Sequence, residues 1–317
     1  MSRVSIILRV KNEGRTLGQV LEGVGLQRGV EPPELVVVDS GSTDDTLAIA
    51  ERHGAAIVRI RPEDFTWGGA INRGIEASSG DIAVMLSGHC VPVDEHWLRE
   101  LIAPFGAPEV AATASRHVPD LCVDPLEAVE LAEWFPPGEA PVEAGIYSNS
   151  AGAVRRAVWE VHRFDEGLML CEDGEWAMRV RAAGHRTLYC PRSQVVHSHR
   201  PAVDVVYRRW FWRAFTGVAF IEGARDGQIL YLGYKTAKYL WQDLRMLWRD
   251  GRPWAWWRAP FYELARQWGA FAGARLSRSG RVGLRGHDYA IRVPRPIALV
   301  DPILRGLERP GRSHVCG

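Results

Sequence analysis

The chain has 317 residues, 46% of them apolar, enough to bury the core of one large α/β domain or of a catalytic domain with a helical appendage. Its formal net charge of +1 conceals an asymmetry: Lys235 to Arg281 holds ten Lys or Arg against Asp243, Asp250 and Glu263 alone, which leaves the remainder acidic overall. The five cysteines (Cys90, Cys122, Cys171, Cys190 and Cys316) are odd in number and widely spaced with no C-x-x-C pair, and a reducing compartment fits them best.

In chain order, Val4 to Leu8 reads as a short buried strand, Arg15 to Gln27 as a helical stretch and Glu34 to Asp39 as a second strand, a βαβ start. Thr46 to His53 reads as a helix, Ala55 to Ile60 as a strand, Gly69 to Ser78 as a helix and Ile82 to Leu86 as another apolar strand. The alternation predicts a doubly wound sheet. Beyond Pro92 come a helix from Glu95 to Ile102, a strand from Val110 to Ala114 and a loop at Phe135-Pro-Pro-Gly138 that fits the acceptor side of a cleft. From Tyr207 the pattern becomes helical, and residues 201 to 275 hold eight of the thirteen tryptophans, interleaved with arginines. No apolar run approaches the roughly 20 residues that span a bilayer, so neither a signal peptide nor a transmembrane helix is expected.

Ligands gather at the carboxyl ends of parallel strands, which singles out Asn12-Glu13, Asp39 to Thr43 and Ser87-Gly-His89. A carboxylate at Asp39 can accept from a base or a ribose hydroxyl, and it equally suits a turn. Ser42-Thr-Asp-Asp45 reads mainly as a helix start, with a hydroxyl cap and acids in the first turn. No Gly-x-Gly-x-x-Gly follows the first strand and no Gly-x-x-x-x-Gly-Lys occurs, against dinucleotide and P-loop phosphate sites.

The order and spacing of Val4-Ser-Ile-Ile-Leu-Arg-Val-Lys-Asn-Glu13, Val36-Val-Val-Asp-Ser-Gly-Ser-Thr-Asp44 and Phe65-Thr-Trp-Gly-Gly-Ala-Ile-Asn-Arg-Gly74 resemble the family 2 glycosyltransferases of the GT-A fold. The resemblance is strongest to the branch that includes bacterial rhamnosyltransferases and covers about residues 3 to 215. It implies a Rossmann-like, doubly wound, mostly parallel α/β domain over residues 1–200 that binds a nucleotide-diphosphate sugar. A helical, Trp- and Arg-rich extension over residues 201–317 would serve acceptor, membrane-surface or dimer contacts. The resemblance lays the donor nucleotide along Val10, Asn12, Glu13, Asp39, Gly69, Asn72, Ser87 and Gly88, glycine permitting close backbone approach.

Cys171-Glu-Asp-Gly-Glu-Trp176 resembles the acidic signature of the family, whose aspartate is the general base, and that role passes to Asp173. Glu172, Glu175, Trp176 and Arg209 fall on the acceptor or diphosphate side. The chemistry agrees, because an acceptor hydroxyl attacking an anomeric carbon must lose its proton, and the product would be inverted. Without the resemblance, Glu172, Asp173 and Glu175 are acids in the first turn of a helix running to Ala182.

The chain departs from the family at Leu86-Ser-Gly-His-Cys-Val-Pro92, where His89 stands in place of the aspartate of an Asp-x-Asp or Gln-Asp element that holds a divalent cation. Imidazole suits softer ions than carboxylate does. The expected cofactor is a divalent ion, Mg²⁺ or Mn²⁺, bound mainly with the donor and held by His89 and His199. Of His197-Ser-His199 the two rings point to opposite faces of an extended chain, and the resemblance favours His199, a structural histidine being the alternative. Arg209 has the fork geometry for phosphate, while a helix from Tyr207 to Phe215 with solvated arginines is the plain reading.

Trp241, Leu244, Leu247 and Trp248 recur at helical spacing beside Lys238, Arg245, Arg249 and Arg252, a pattern for a membrane-surface helix, a core or a homodimer interface. No nucleic-acid module is present, so nucleic acid is not an expected partner. The expected function is inverting hexosyl or deoxyhexosyl transfer to a saccharide, lipid-linked or small-molecule acceptor, in polysaccharide, glycolipid or glycosylated-metabolite synthesis, in the cytoplasm or on the inner face of the membrane. The rival is a nucleotide-sugar-binding protein that has lost transfer, suggested by the missing Asp-x-Asp. A nucleotidyltransferase would need a glycine-rich first loop, and Arg9-Val-Lys-Asn-Glu13 contains none.

Overall fold

A computed structural model describes residues 2–120, 123–144, 147–168, 170–197, 202–217 and 227–279. The chain forms two compact units, one of residues 1–118, 131–168 and 172–197, the other of residues 119–130, 169–171 and 198–317.

The first unit runs β1 (Val4–Val10), α1 (Leu17–Gly25), β2 (Glu34–Asp39), α2 (Thr46–Arg52), β3 (Ala56–Arg59), α3 (Trp67–Glu76), β4 (Ile82–Ser87), β5 (Val91–Pro92), α4 (Trp97–Ile102) and β6 (Val110–Val118). After α5 (Pro125–Trp134), whose first residues belong to the second unit, it continues with β7 (Val142–Glu143), β8 (Ala151–Arg155), α6 (Arg156–Val161), α7 (Glu172–Ala182) and β9 (Arg186–Val196). The sheet order is β3-β2-β1-β4-β8-β6-β9-β5, with β7 added on β9. Most paired positions run parallel, while β8 enters antiparallel between β4 and β6, and β5 and β7 lie antiparallel to β9.

The central strands are apolar on both faces because helices cover both. Ile6 and Leu8 of β1 pack with Leu17, Val20 and Leu21 of α1, while Ile7 packs on the opposite face with Ile71 and Ile75 of α3. Gly74 allows α3 to lie this close, since a Cβ there would meet Ile7 Cγ2 at 2.3 Å and Val38 Cγ2 at 2.9 Å. The registers Val10↔Asp39 and Arg9↔Ser87 bring the polar ends of β1, β2 and β4 to one level. β6 runs four residues beyond the expected Ala114, because after an irregularity between Ser115 and Arg116 it keeps pairing with β9 as far as Val118↔Val196. That extension carries His117 to the same end of the sheet as His197.

The second unit contains α8 (Val203–Gly217), α9 (Ile229–Arg249) and α10 (Ala259–Arg278). Its core joins Leu126 and Val129 of α5 to Val206, Tyr207, Leu247, Ala255 and Tyr262. α8 and α10 meet backbone to side: a Cβ at Gly269 would lie 2.4 Å from Tyr207 O, and one at Gly273 would lie 2.0 Å from Phe211 O. No described helix is long and apolar enough to cross a membrane.

Candidate functional site

The loop after β1 and the loop after β2 are tied together by their own polar groups. Asn12 N donates to Ser42 Oγ (2.9 Å), Glu13 N to Thr46 Oγ1 (2.8 Å), Gly14 N to Asp44 Oδ2 (3.0 Å), and Thr43 N donates back to Asn12 Oδ1 (2.8 Å). Asn12 adopts φ 56°, the left-handed region that asparagine tolerates better than most residues. Asp39, buried at the end of β2, accepts from Gly41 N (3.1 Å) and Ser42 N (3.1 and 3.2 Å), so its carboxylate closes a turn at the level of the cleft. Asp44 thus does more than start α2, since it also anchors the loop of β1. The side chain of Val10 is buried in the core, and its carbonyl accepts from Ser40 N (3.2 Å).

At the end of β4, Ser87 N is taken by Ser150 O (2.8 Å) and Gly88 O accepts from Thr16 Oγ1 (3.0 Å). His89 Nδ1 lies 2.8 Å from Glu13 Oε1. Burial acts to raise the Glu13 carboxyl, but the hydrogen bond and charge of His89 outweigh it and hold Glu13 below the usual carboxylate range. An ionised Glu13 can only accept, so His89 Nδ1 is the donor of this pair. The His89 ring lies 5.1 Å from that of His197, whose Nδ1 is 2.9 Å from His117 Nδ1; His117 in turn stacks on Phe135 with centroids 4.1 Å apart. The Phe135 loop is pinned by Tyr189 Oη donating to Pro136 O (2.8 Å). His199 lies outside the described residues, and among the described residues the histidine beside His89 is His197. Among the described residues no three His, Cys, Asp or Glu side chains are grouped to hold a metal ion. This donor set fits an ion held chiefly by a phosphate ligand, with one or two protein contacts, rather than a preassembled cage.

A second cluster surrounds the start of α7. Arg9, with its side chain 8% exposed, points its Nη1 to within 3.8 Å of Glu172 Oε1, donates from Nη2 to Asn149 O (3.2 Å) and lies over the Trp67 ring at 5.1 Å. Asn149 N is 3.4 Å from Asp173 Oδ2 and its Nδ2 is 3.4 Å from Glu172 Oε1. Burial first, then the charge of Asp173, push the Glu172 carboxyl up to about 7 against the pull of Arg9. Burial, then Asp173, also raise the Tyr147 phenol well above its ordinary range. Cys171, just ahead of α7, adopts φ 65°, an uncommon conformation for a residue with a Cβ.

The remaining candidates are engaged in packing. Asn72 is buried and fully used, donating to Phe164 O (2.9 Å) and Glu166 Oε1 (2.8 Å) and accepting from Trp159 Nε1 (2.9 Å) and Phe164 N (3.2 Å). Gly69 N donates to Thr66 Oγ1 (3.0 Å), the N-cap of α3. Trp176 is wholly buried against Phe164, its Nε1 donating to His162 O. Glu175 forms a two-pronged pair with Arg179 (2.8 and 2.9 Å). In the second unit Arg209 Nη1 lies 3.3 Å from Glu127 Oε2, and Tyr262 Oη donates to Glu130 Oε2 (2.9 Å).

Sequence reasoning passed over Arg9, His117 and Asn149 as site residues, and it named His197 without choosing it. Arg9 carried a signal, a lone charge one residue from the end of an apolar strand.

The family described as Glycosyl transferase family 2 matches residues 5–151. The chain is 31% identical over 194 residues to the O-antigen chain rhamnosyltransferase WbaN of Salmonella anatum, covering 57% of this chain and 61% of that protein. It is 39% identical over 227 residues to Glycosyltransferase AglE of Haloferax volcanii, covering 65% of this chain and 70% of that one. In fold it is similar to the mannosyltransferase PcManGT of Pyrobaculum calidifontis, solved with GDP-Man and Mn²⁺, at a TM-score of 0.54 and 19% identity over 96% of this chain and 79% of the other.

The raised Glu172 carboxyl has a stability consequence with a definite sign. In the unfolded chain Glu172 ionises near 4.5, in the folded one near 7, so wild-type stability falls as pH rises through that window and is then level. Glu172→Gln, which mimics the protonated acid, is expected to match wild type below about pH 4.5 and to exceed it increasingly up to pH 7. Urea unfolding midpoints across pH 4 to 8 check this, and a variant less stable than wild type at pH 8 would show that the ionised pair with Arg9 outweighs burial.

Proposed function

The chain belongs to the family 2 glycosyltransferases, and from that premise we propose that it moves a hexosyl or deoxyhexosyl group from a nucleotide-diphosphate sugar to an acceptor hydroxyl with inversion. The observation that carries the reading is the half-buried Asp173, held beside Glu172 and Asn149 at the end of β1. Asp173 takes the proton of the acceptor hydroxyl, its oxygen bonds to the anomeric carbon from the face opposite the diphosphate, and the bond to the diphosphate breaks. Asp39 and the tied loops after β1 and β2 receive the nucleoside at the ends of the strands. The intact acidic cluster favours transfer over binding alone. Likeness to WbaN supports a surface polysaccharide as the product and a saccharide or lipid-linked acceptor.

Departure of the diphosphate needs positive charge. A divalent ion, Mg²⁺ or Mn²⁺, would supply it when bound with the donor, and His89, oriented by Glu13, is the described residue that would help hold it, with His199 the other candidate. Arg209, already matched by the buried Glu127, fits a structural role within its own unit better than a phosphate contact.

The second unit exposes Trp241 (70%), Trp248 (66%) and Trp254 (63%), and α9, which buries only Asp243 and Leu247, also carries Lys235, Lys238, Arg245 and Arg249. Aromatics beside cations suit the inner leaflet of a membrane, which is anionic.

Asp173→Asn is expected to keep donor affinity by calorimetry while turnover drops by at least about 10²-fold; near-normal turnover removes Asp173 from the mechanism. Excess chelator should abolish transfer and weaken donor binding, with Mg²⁺ or Mn²⁺ restoring both in wild type but not in His89→Ala. Full activity in chelator would leave the leaving group to the protein's own cations. Sedimentation with anionic vesicles should exceed that with neutral ones and fall at high salt; equal or absent binding, with a dimer in size exclusion, would assign the tryptophans to a second copy.

A further inference from the structure

We propose that Arg9 is a positioning residue for the base: its buried guanidinium offsets the negative charge at the head of α7 and keeps Asp173 ionised beside the buried Glu172. The inference rests on Asp173 as the base and adds a residue that acts through it.

Two adjacent acids at the head of one helix, one of them buried, cannot both ionise easily without a cation. Arginine is the only side chain whose charge cannot be lost to burial at any accessible pH. Arg9 supplies that charge from β1, held by Asn149 O (3.2 Å), by the Trp67 ring (5.1 Å) and by Glu172 Oε1 (3.8 Å). Among the described residues, the other titratable groups near the pair are Tyr147, ahead of β8, Cys171, which directly precedes Glu172, and Glu175 on the same helix, which is turned onto Arg179. Asn149 links the two acids, meeting Asp173 with its backbone N–H and Glu172 with its side-chain amide (both 3.4 Å).

A purely structural arginine in such a place has its nitrogens filled. Here Arg9 Nη1, Tyr147 Oη and Asn149 Oδ1 are all buried without a hydrogen-bond partner among the described residues. Hydrogen-bonding capacity is therefore kept beside the two acids, where an acceptor hydroxyl has to be received.

The test is the acid limb of the kcat/KM profile against pH, read as nucleoside diphosphate released from whichever of UDP-glucose, GDP-mannose and dTDP-rhamnose turns over fastest with water or an alkyl glycoside. Arg9→Met should move the limb up by about one pH unit or more, a loss of about tenfold on the acid side. Glu172→Gln, which keeps position 172 uncharged, should leave the limb close to wild type, Arg9→Met with Glu172→Gln should move it as far as Arg9→Met alone, and Arg9→Lys should hold it. Circular dichroism and nucleotide calorimetry establish that each variant is folded. A folded Arg9→Met with an unmoved limb, or Arg9→Lys moving as far as Arg9→Met, overturns the proposal. Should Arg9→Met fail to fold, Arg9→Gln takes its place, an upward limb supporting and an unmoved one refuting. An active Asp173→Asn would instead sink the underlying assignment of the base, whereas an inert Asp173→Asn with an unmoved limb in Arg9→Met sinks only the role of Arg9.

Discussion

Everything at the site depends on the register of β1 between β2 and β4. Side chains alternate along a strand, so a slip of one residue would send Ile6 and Leu8 to the face of Ile7 and carry Arg9 away from Asn149 and Glu172. The apolar runs on both sides of β1 fix that register, because each face must meet its own helix. The polar cluster is therefore set by packing several residues away. Arg9↔Ser87 and Val10↔Asp39 then bring three strand ends to one level, and the loops after β1 and β2 close over them with reciprocal hydrogen bonds.

The parallel half of the sheet was legible because its strands are continuous apolar runs, as at Glu34–Asp39, where the expected and observed bounds coincide. β8 was not, since Ala-Gly-Ala-Val-Arg has low strand propensity and gains its place from crowding: a Cβ at Gly152 would meet Ser148 O at 2.5 Å and Thr113 O at 3.1 Å. At the site, strand-end logic found Glu13, Asp39 and His89. It could not find His117, which only an irregular continuation of β6 brings to the cleft end. Motif membership identified Asn72 and Trp176 without showing that their polar atoms are spent on holding the Phe164 segment.

The second unit buries charge where its composition suggested only amphipathic helices. Glu127 and Glu130 lie some eighty residues from Arg209 and Arg213, a separation no local pattern reveals. Burial raises the Glu127 carboxyl, and Arg209 pulls it back down. Taking away one member of such a buried pair commonly costs about 3–5 kcal/mol, more than the pair contributes in sum, so the cluster specifies one arrangement of α5, α8 and α10 more than it strengthens it.

Gly88 lets the side chain of Glu13 pass, since a Cβ there would lie 2.9 Å from Glu13 Cγ, and Glu13 ends 2.8 Å from His89. An aspartate at position 89 would face a second carboxylate at that distance, and any larger residue at 88 would push it aside. Positions 13, 88 and 89 are thus tied to one another through packing and charge. A cation seated between two such acids would relieve their repulsion, so an aspartate at 89 would make the ends of β1 and β4 lean on a bound ion in a way that His89 does not.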